Sequence, residues 1–142
     1  MKVMVIVKAS KASEAGQMPS RELLAAMGKF NKELVDAGVM LAAEGLQQSA
    51  KGARVRFSGK ERRVTRGPFA HSEELVAGFW LWQVRSLDEA IEWVRRCPNP
   101  HLDDGEIEIR PVHSCEDFGE ALTPELKQQE DRLRAKAAAL QG

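Results

Sequence analysis

Arg66-Gly67-Pro68-Phe69-Ala70-His71-Ser72-Glu73-Glu74 leads into Gly78-Phe79-Trp80-Leu81-Trp82-Gln83-Val84. The Gly-Pro pair opens a tight turn, because glycine accepts unusual backbone angles and proline fixes its own. Behind it, Ala77 to Val84 is apolar on both faces. A strand of that kind is buried on both sides and belongs in the middle of its sheet. Ser86-Leu87-Asp88-Glu89 then reads as a capping box. Its serine hydroxyl accepts from the third helical amide, and its glutamate reaches back to the serine amide.

Toward the N-terminus, Val3-Met4-Val5-Ile6-Val7 has the same two-sided apolar character and makes a second central strand. Residues 8–19 are small, polar and turn-forming, and read as a loop. Ser20 caps a helix whose Leu23, Met27, Phe30 and Leu34 share one face, and Gly38 ends it. Val39 to Gln47 is a more polar strand interrupted by Gly45. Residues 54–57 and 61–65 alternate on either side of Ser58-Gly59-Lys60, the pattern of a hairpin.

Toward the C-terminus, the helix after Ser86 carries Leu87, Ala90, Ile91 and Val94 inward, and Pro98 and Pro100 prevent its continuation. Residues 106–113 alternate, with Ile107, Ile109 and His113 on the core side and Glu108 and Arg110 opposite, as on an edge strand. Thr123 and Pro124 open a final helix with Leu126, Leu133 and Leu140 seven residues apart, a narrow stripe suited to docking on another helix or a partner subunit.

With the hairpin and last helix set aside, the order is βαββαβ. In the split βαβ arrangement the first and third main strands are central, and these are the two that are apolar on both faces. The expected fold is therefore α+β: a ferredoxin-like sheet with an inserted β-hairpin and an extra C-terminal helix. A single domain spans 1–142, with a core over 1–120 and the terminal helix over 123–140. Trp80 and Trp82 lie on one face of their strand, Phe79 and Leu81 on the other. Helices cover only one face, so the other predicts a homodimer, sheet against sheet, closing a dimeric α/β barrel.

Lys plus Arg and Asp plus Glu both number 21, for a formal net charge of zero. That balance argues against nucleic acid as a partner, and Arg62-Arg63-Val64-Thr65-Arg66 reads as a solvated hairpin edge. No run approaches the ~20 apolar residues of a membrane helix, and Met1 to Lys8 is too short for a signal-peptide core. The expectation is a cytoplasmic protein with no membrane partner. Cys97 and Cys115 read as free thiols. With His101 and His113 they lack the close ligand pairs of a structural zinc site, so no metal and no other cofactor is expected.

The run from Arg66 to Glu74 resembles the Asp-Gly-Pro-Phe-Ala-Glu-Thr-Lys-Glu signature of the YCII-related family. Further matches at Gly78-Phe79-Trp80, Ser86 to Trp93, Glu106 to Pro111 and Glu116-Asp117-Phe118 extend the resemblance over nearly the whole chain. The resemblance implies a ferredoxin-like fold and a dimeric barrel, with activity mostly unassigned. It also implies an association with transcription components, since some relatives are joined to initiation factors. Two signature acids are replaced here, by Arg66 and His71. Other YCII-like proteins are proposed to act through a His–Asp pair with the histidine on the first helix. Counted back from Asp36-Ala37-Gly38, that position is Met27, whose thioether transfers no proton.

The candidate ligand-binding residues are Glu44, Arg66, His71 and Trp82, and Glu44 and His71 are the candidate general bases. A glutamate in the apolar strand Leu41-Ala42-Ala43-Glu44-Gly45 is either a base or a partner of Arg54 or Arg56. Arg66 beside the turn either clamps a carboxylate or is a surface residue. His71 offers a near-neutral pKa on a loop, where exposed or capping histidines are common. Trp82 either stacks on an aromatic ligand or belongs to the core or dimer interface. The favoured function is a homodimeric protein that binds a small molecule in a pocket between sheet and loops, at the dimer interior near Glu44, Arg66, His71 and Trp82. The alternatives are an enzyme acting on a small acidic or aromatic substrate, and a regulatory partner of transcription components.

Overall fold

A computed structural model describes residues 1–70 and 72–142, with Ser72 described by its backbone alone. It comprises two compact units, Met1–Pro111 and Val112–Gly142. In the first unit, β1 (Lys2–Lys8), α1 (Lys11–Glu14), α2 (Arg21–Asp36) and β2 (Met40–Gly45) precede the hairpin β3 (Ala53–Ser58) and β4 (Glu61–Arg66). Strand β5 (Val76–Gln83), helix α3 (Leu87–Arg95) and strand β6 (Ile107–Pro111) complete it. The second unit holds a 3₁₀ stretch over Cys115–Ala121 and α4 (Pro124–Gln141).

The four main strands form an antiparallel sheet in the order β2-β5-β1-β6, with β3 and β4 as a separate ribbon. The strands that are apolar on both faces are central, as the ferredoxin-like arrangement requires. Register fixes which side chains share a face. Ala43, Trp80, Val5 and Ile109 form one row across the sheet; Glu44, Phe79, Ile6 and Glu108 form the next, on the opposite face.

The tryptophans settle which face meets the helices. Trp80 and Trp82 are buried with Val3, Val5, Phe30 and Leu34 of α2 and Ala90 of α3. Phe30 stands edge-on to both indoles, with ring centroids 6.1 and 6.4 Å away. Each indole removes roughly 200 Å² from water, about 5 kcal/mol at 25 cal/mol per Å² before ordering costs are subtracted. Met4, Ile6, Phe79, Leu81 and Ala42 are left half-buried on the open face.

The caps behave as the sequence requires. Leu23 donates its amide to the Ser20 hydroxyl at 3.1 Å, Gly38 takes φ +72°, and Glu89 donates its amide to Ser86 at 3.1 Å. The Glu89 carboxylate departs from the capping-box expectation. It accepts the Arg85 amide at 3.0 Å, one residue before the serine. The expected loop over 8–19 contains the single turn α1, because Ser10 and Ser13 exchange hydroxyls and amides at 2.8 and 3.1 Å.

His113 is a correction. It is exposed beyond the end of β6, not on the core side of Ile107 and Ile109. The pairing of β1 with β6 ends at Val3 and Pro111, so strand alternation no longer sets where His113 points. Leu87 is 40% exposed in the first turn of α3, rather than turned inward.

Candidate functional site

A groove of about 380 Å³ runs between α2 and the sheet, lined among others by Leu23, Leu24, Met27, Asn31, Ala43 and Trp80. Its cause is a missing pair of side chains. On the helix-facing side, the row beyond Ala43, Trp80 and Val5 consists of Gly45, Gly78, Val7 and Ile107. Two adjacent glycines leave nothing to fill the space beneath the N-terminal half of α2. Gly78 is also required by its neighbours, since a Cβ there would lie 2.9 Å from the Glu44 carbonyl oxygen. A Cβ on Gly45 would meet nothing within 4 Å. The sequence showed Gly45 only as an interruption, because periodicity records the side chains that are present and not those that are missing.

Polar chemistry in the groove is sparse. Trp80 donates its indole Nε1–H to Asn31 Oδ1 at 2.9 Å, which fixes the amide and leaves its NH₂ as a donor. Among the described residues, no lysine or arginine lines the groove. Met27, at the position singled out on the first long helix, contributes a flexible thioether to the wall.

The structure distributes the sequence-predicted site residues rather than gathering them. Glu44 is exposed at the rim of the groove, with its side chain on the face opposite Ala43. Among the described residues it has no ion pair, with Arg54, Arg56 or any other cation. Arg66 is exposed at the end of β4 and does not line the groove. Trp82 is fully buried with its ring in the core, so no ligand reaches it there. His71 lies outside the described residues.

The turn at Gly67-Pro68 has a structural task. Ser49 donates its amide to Glu14 Oε2 at 2.9 Å and its hydroxyl to Glu14 Oε1, and the Phe69 amide donates to Ser49 Oγ at 3.0 Å. Gly67 donates to the Gly52 carbonyl at 3.0 Å, and a Cβ on Gly67 would fall 1.8 Å from the Ser49 carbonyl oxygen. The Arg54 guanidinium stacks on Phe69, 4.0 Å from the ring centroid. The Gly-Pro turn of the signature run therefore anchors the root of the hairpin.

The histidine–aspartate contact in the second unit serves capping. His113 Nδ1 lies 3.1 Å from Asp117 Oδ2, and that carboxylate accepts the Ser114 amide at 2.9 Å. The amide first, and then the imidazole, hold Asp117 below the usual aspartate range. Cys97 is half-buried, its thiol donates to the Pro98 carbonyl at 3.2 Å, and burial pushes its pKa up to about 11. No group of three or more metal-ligating side chains occurs among the described residues. No helix among them is long and apolar enough to cross a membrane.

Residues 1–116 match the YCII-related domain. The uncharacterized protein R00369 of Rhizobium meliloti (strain 1021) is 32% identical over 106 residues, covering 75% of this chain and 82% of that protein. A solved structure of 5-chloro-2-hydroxyhydroquinone dehydrochlorinase (TftG) from Burkholderia phenoliruptrix AC1100, complexed with 2,5-dihydroxybenzoquinone, has 16% identity and a TM-score of 0.44. The alignment covers 80% of this chain and 96% of that one. At that distance the likeness carries no chemistry across. By the span of the domain match and the identity to R00369, the chain belongs to the YCII-related family.

Proposed function

We propose that this YCII-related protein is a homodimer that binds a small, uncharged, largely apolar molecule in the groove beneath α2. The groove carries the reading: an apolar cavity with one fixed amide is the usual make-up of a small-molecule site. Its volume suits a ligand about the size of a substituted aromatic ring. Asn31 offers its NH₂ to a carbonyl or hydroxyl oxygen of the ligand, and Trp80 and Met27 supply apolar contact. The absence of lysine and arginine from the lining disfavours an acidic ligand, whose desolvated charge would go unpaired.

The test is a screen of neutral substituted aromatic compounds by tryptophan fluorescence, since Trp80 lines the groove. Gly45→Leu fills the groove from a position with open space around its Cβ, and Leu24→Asp charges a wall residue that is already 59% exposed. Both are expected to abolish binding while leaving the fold intact. Binding unchanged in Gly45→Leu would place the ligand elsewhere. The dimer is tested separately by sedimentation at micromolar concentration.

A further inference from the structure

We infer that the β3–β4 ribbon is an arm that lays its apolar side on an anionic lipid surface, with its arginines among the headgroups. The inference stands apart from the homodimer and from the ligand groove proposed above. Residues 51–66 hold seven of the chain's 21 Lys and Arg but only one of its 21 Asp and Glu, Glu61. The zero net charge of the whole sequence therefore hides a strongly basic segment and a correspondingly acidic remainder. Every residue of that segment is exposed, and its two strands pair only with each other. None of the seven cations takes part in an ion pair among the described residues.

The register sorts the ribbon into two sides. Val55, Phe57 and Val64 share one side with Arg62 and Arg66, while Arg54, Arg56 and Arg63 lie on the other with Glu61. Val55, Phe57 and Val64 are 48, 70 and 59% exposed, and the only charged residues on their side are cations. The Arg62 guanidinium lies over the Phe57 ring, 4.6 Å from its centroid, so cation and apolar surface are presented together. On the other side Arg56 stands directly across from Arg63. Like charges at opposed positions destabilise a strand pair, and a lone two-stranded ribbon is marginal in water already.

One kind of partner relieves both features. A nucleic-acid duplex takes up the cations but leaves Val55, Phe57 and Val64 in water. A neutral apolar surface covers those three and leaves the cations uncompensated. At an anionic bilayer the acyl boundary receives the apolar side, and the headgroups receive Arg62 and Arg66 beside it. The ribbon is one backbone layer thick. The long side chains of Arg54, Arg56 and Arg63 therefore reach around its edges and stay within the ~8 Å over which the surface charge acts. This is the layout of an interfacial amphipathic helix carried on a strand pair. Lying on a bilayer requires no spanning helix, and none occurs among the described residues.

Co-sedimentation of the full chain with lipid vesicles tests this. The chain is expected to partition onto phosphatidylcholine vesicles carrying about 30% phosphatidylserine at about 0.1 M salt, and to be released at about 0.5 M. Arg56→Glu sets an opposite charge across from Arg63, which favours the ribbon, and is still expected to weaken partition about 20-fold. Phe57→Ser, at a position that is 70% exposed, is expected to weaken it about tenfold with an unchanged thermal melt. No partition onto the anionic vesicles overturns the inference, and so does equal binding to phosphatidylcholine alone. Partition that either variant leaves unchanged overturns the seating of the arm. Salt-sensitive binding to a DNA duplex of about 20 base pairs, without vesicle binding and unaltered in Phe57→Ser, assigns the ribbon to nucleic acid instead.

Discussion

Glu14 grips Ser49 by both its amide and its hydroxyl, joining the single-turn α1 to the root of the hairpin across 35 residues of sequence. The Ser49 hydroxyl in turn accepts the Phe69 amide at 3.0 Å, so one serine ties three segments together.

Ser49→Ala removes that hydroxyl, leaving a part-buried amide and carboxylate without their shared partner. The cost is expected to be about 1–3 kcal/mol, or a Tm lower by roughly 2–4 °C per kcal/mol. Gly67→Ala is expected to cost more, because its Cβ would sit 1.8 Å from the Ser49 carbonyl oxygen and the backbone must move. Thermal melts showing Gly67→Ala no worse than Ser49→Ala would contradict the close approach.

The two thiols should react very differently. Burial holds Cys97 up at about 11, so at pH 8 almost none of it is thiolate, and its thiol is turned to the Pro98 carbonyl. Cys115 is exposed. Titration of the folded protein with a disulfide reagent is expected to give one fast and one slow thiol, with Cys115→Ser abolishing the fast phase. Two equally fast thiols in the folded protein would show that Cys97 is not shielded.

Most of the frame was legible because it is written in periodicity. The two strands apolar on both faces are the central ones; of the helical stripe on α2, Phe30 and Leu34 enter the core, Met27 packs against it, and Leu23 lines the groove. What escaped was encoded in other ways. The groove arises from missing side chains at Gly45 and Gly78, and apolar patterning does not register an absence. The Glu14–Ser49 tie joins two unremarkable polar residues far apart in the chain, with no spacing rule to connect them. His113 was misplaced because alternation was extended past Pro111, where the ladder ends. The Gly-Pro run was correctly seen as a turn, but its chemistry is that of an anchor, and Arg66 beside it faces solvent within one chain.

Acid should destabilise the protein through carboxylates that the fold keeps ionised. The Arg85 amide holds Glu89 below the usual glutamate range, and Arg110 first, then Lys8, does the same for Glu108. A folded pKa below the unfolded one contributes stability that is present above the unfolded value, about 4.3 for glutamate. It is lost as pH falls through the folded value. The urea midpoint is expected to be level down to about pH 5 and to fall below it. Glu89→Gln should flatten that fall, and a midpoint that rises on acidification would reverse the sign of the linkage.

Asn31 and Trp80 give a cycle that separates a structural hydrogen bond from a ligand contact. Asn31→Leu strands the indole N–H of a tryptophan that is only 6% exposed, which is expected to cost about 1–3 kcal/mol. Trp80→Phe removes the donor together with part of the ring that packs against Phe30 at 6.1 Å, so it costs a similar amount through lost packing. In the double variant no polar group is left unpaired. Its loss should therefore fall short of the sum of the single losses by about 1 kcal/mol. Denaturant midpoints give these three values directly, and strict additivity would mean that the bond contributes nothing to the fold. For the ligand proposed above the expected pattern differs: Asn31→Leu removes the NH₂ offered to its oxygen, so the single and the double variant are both expected to lose affinity, whatever the coupling between their stabilities.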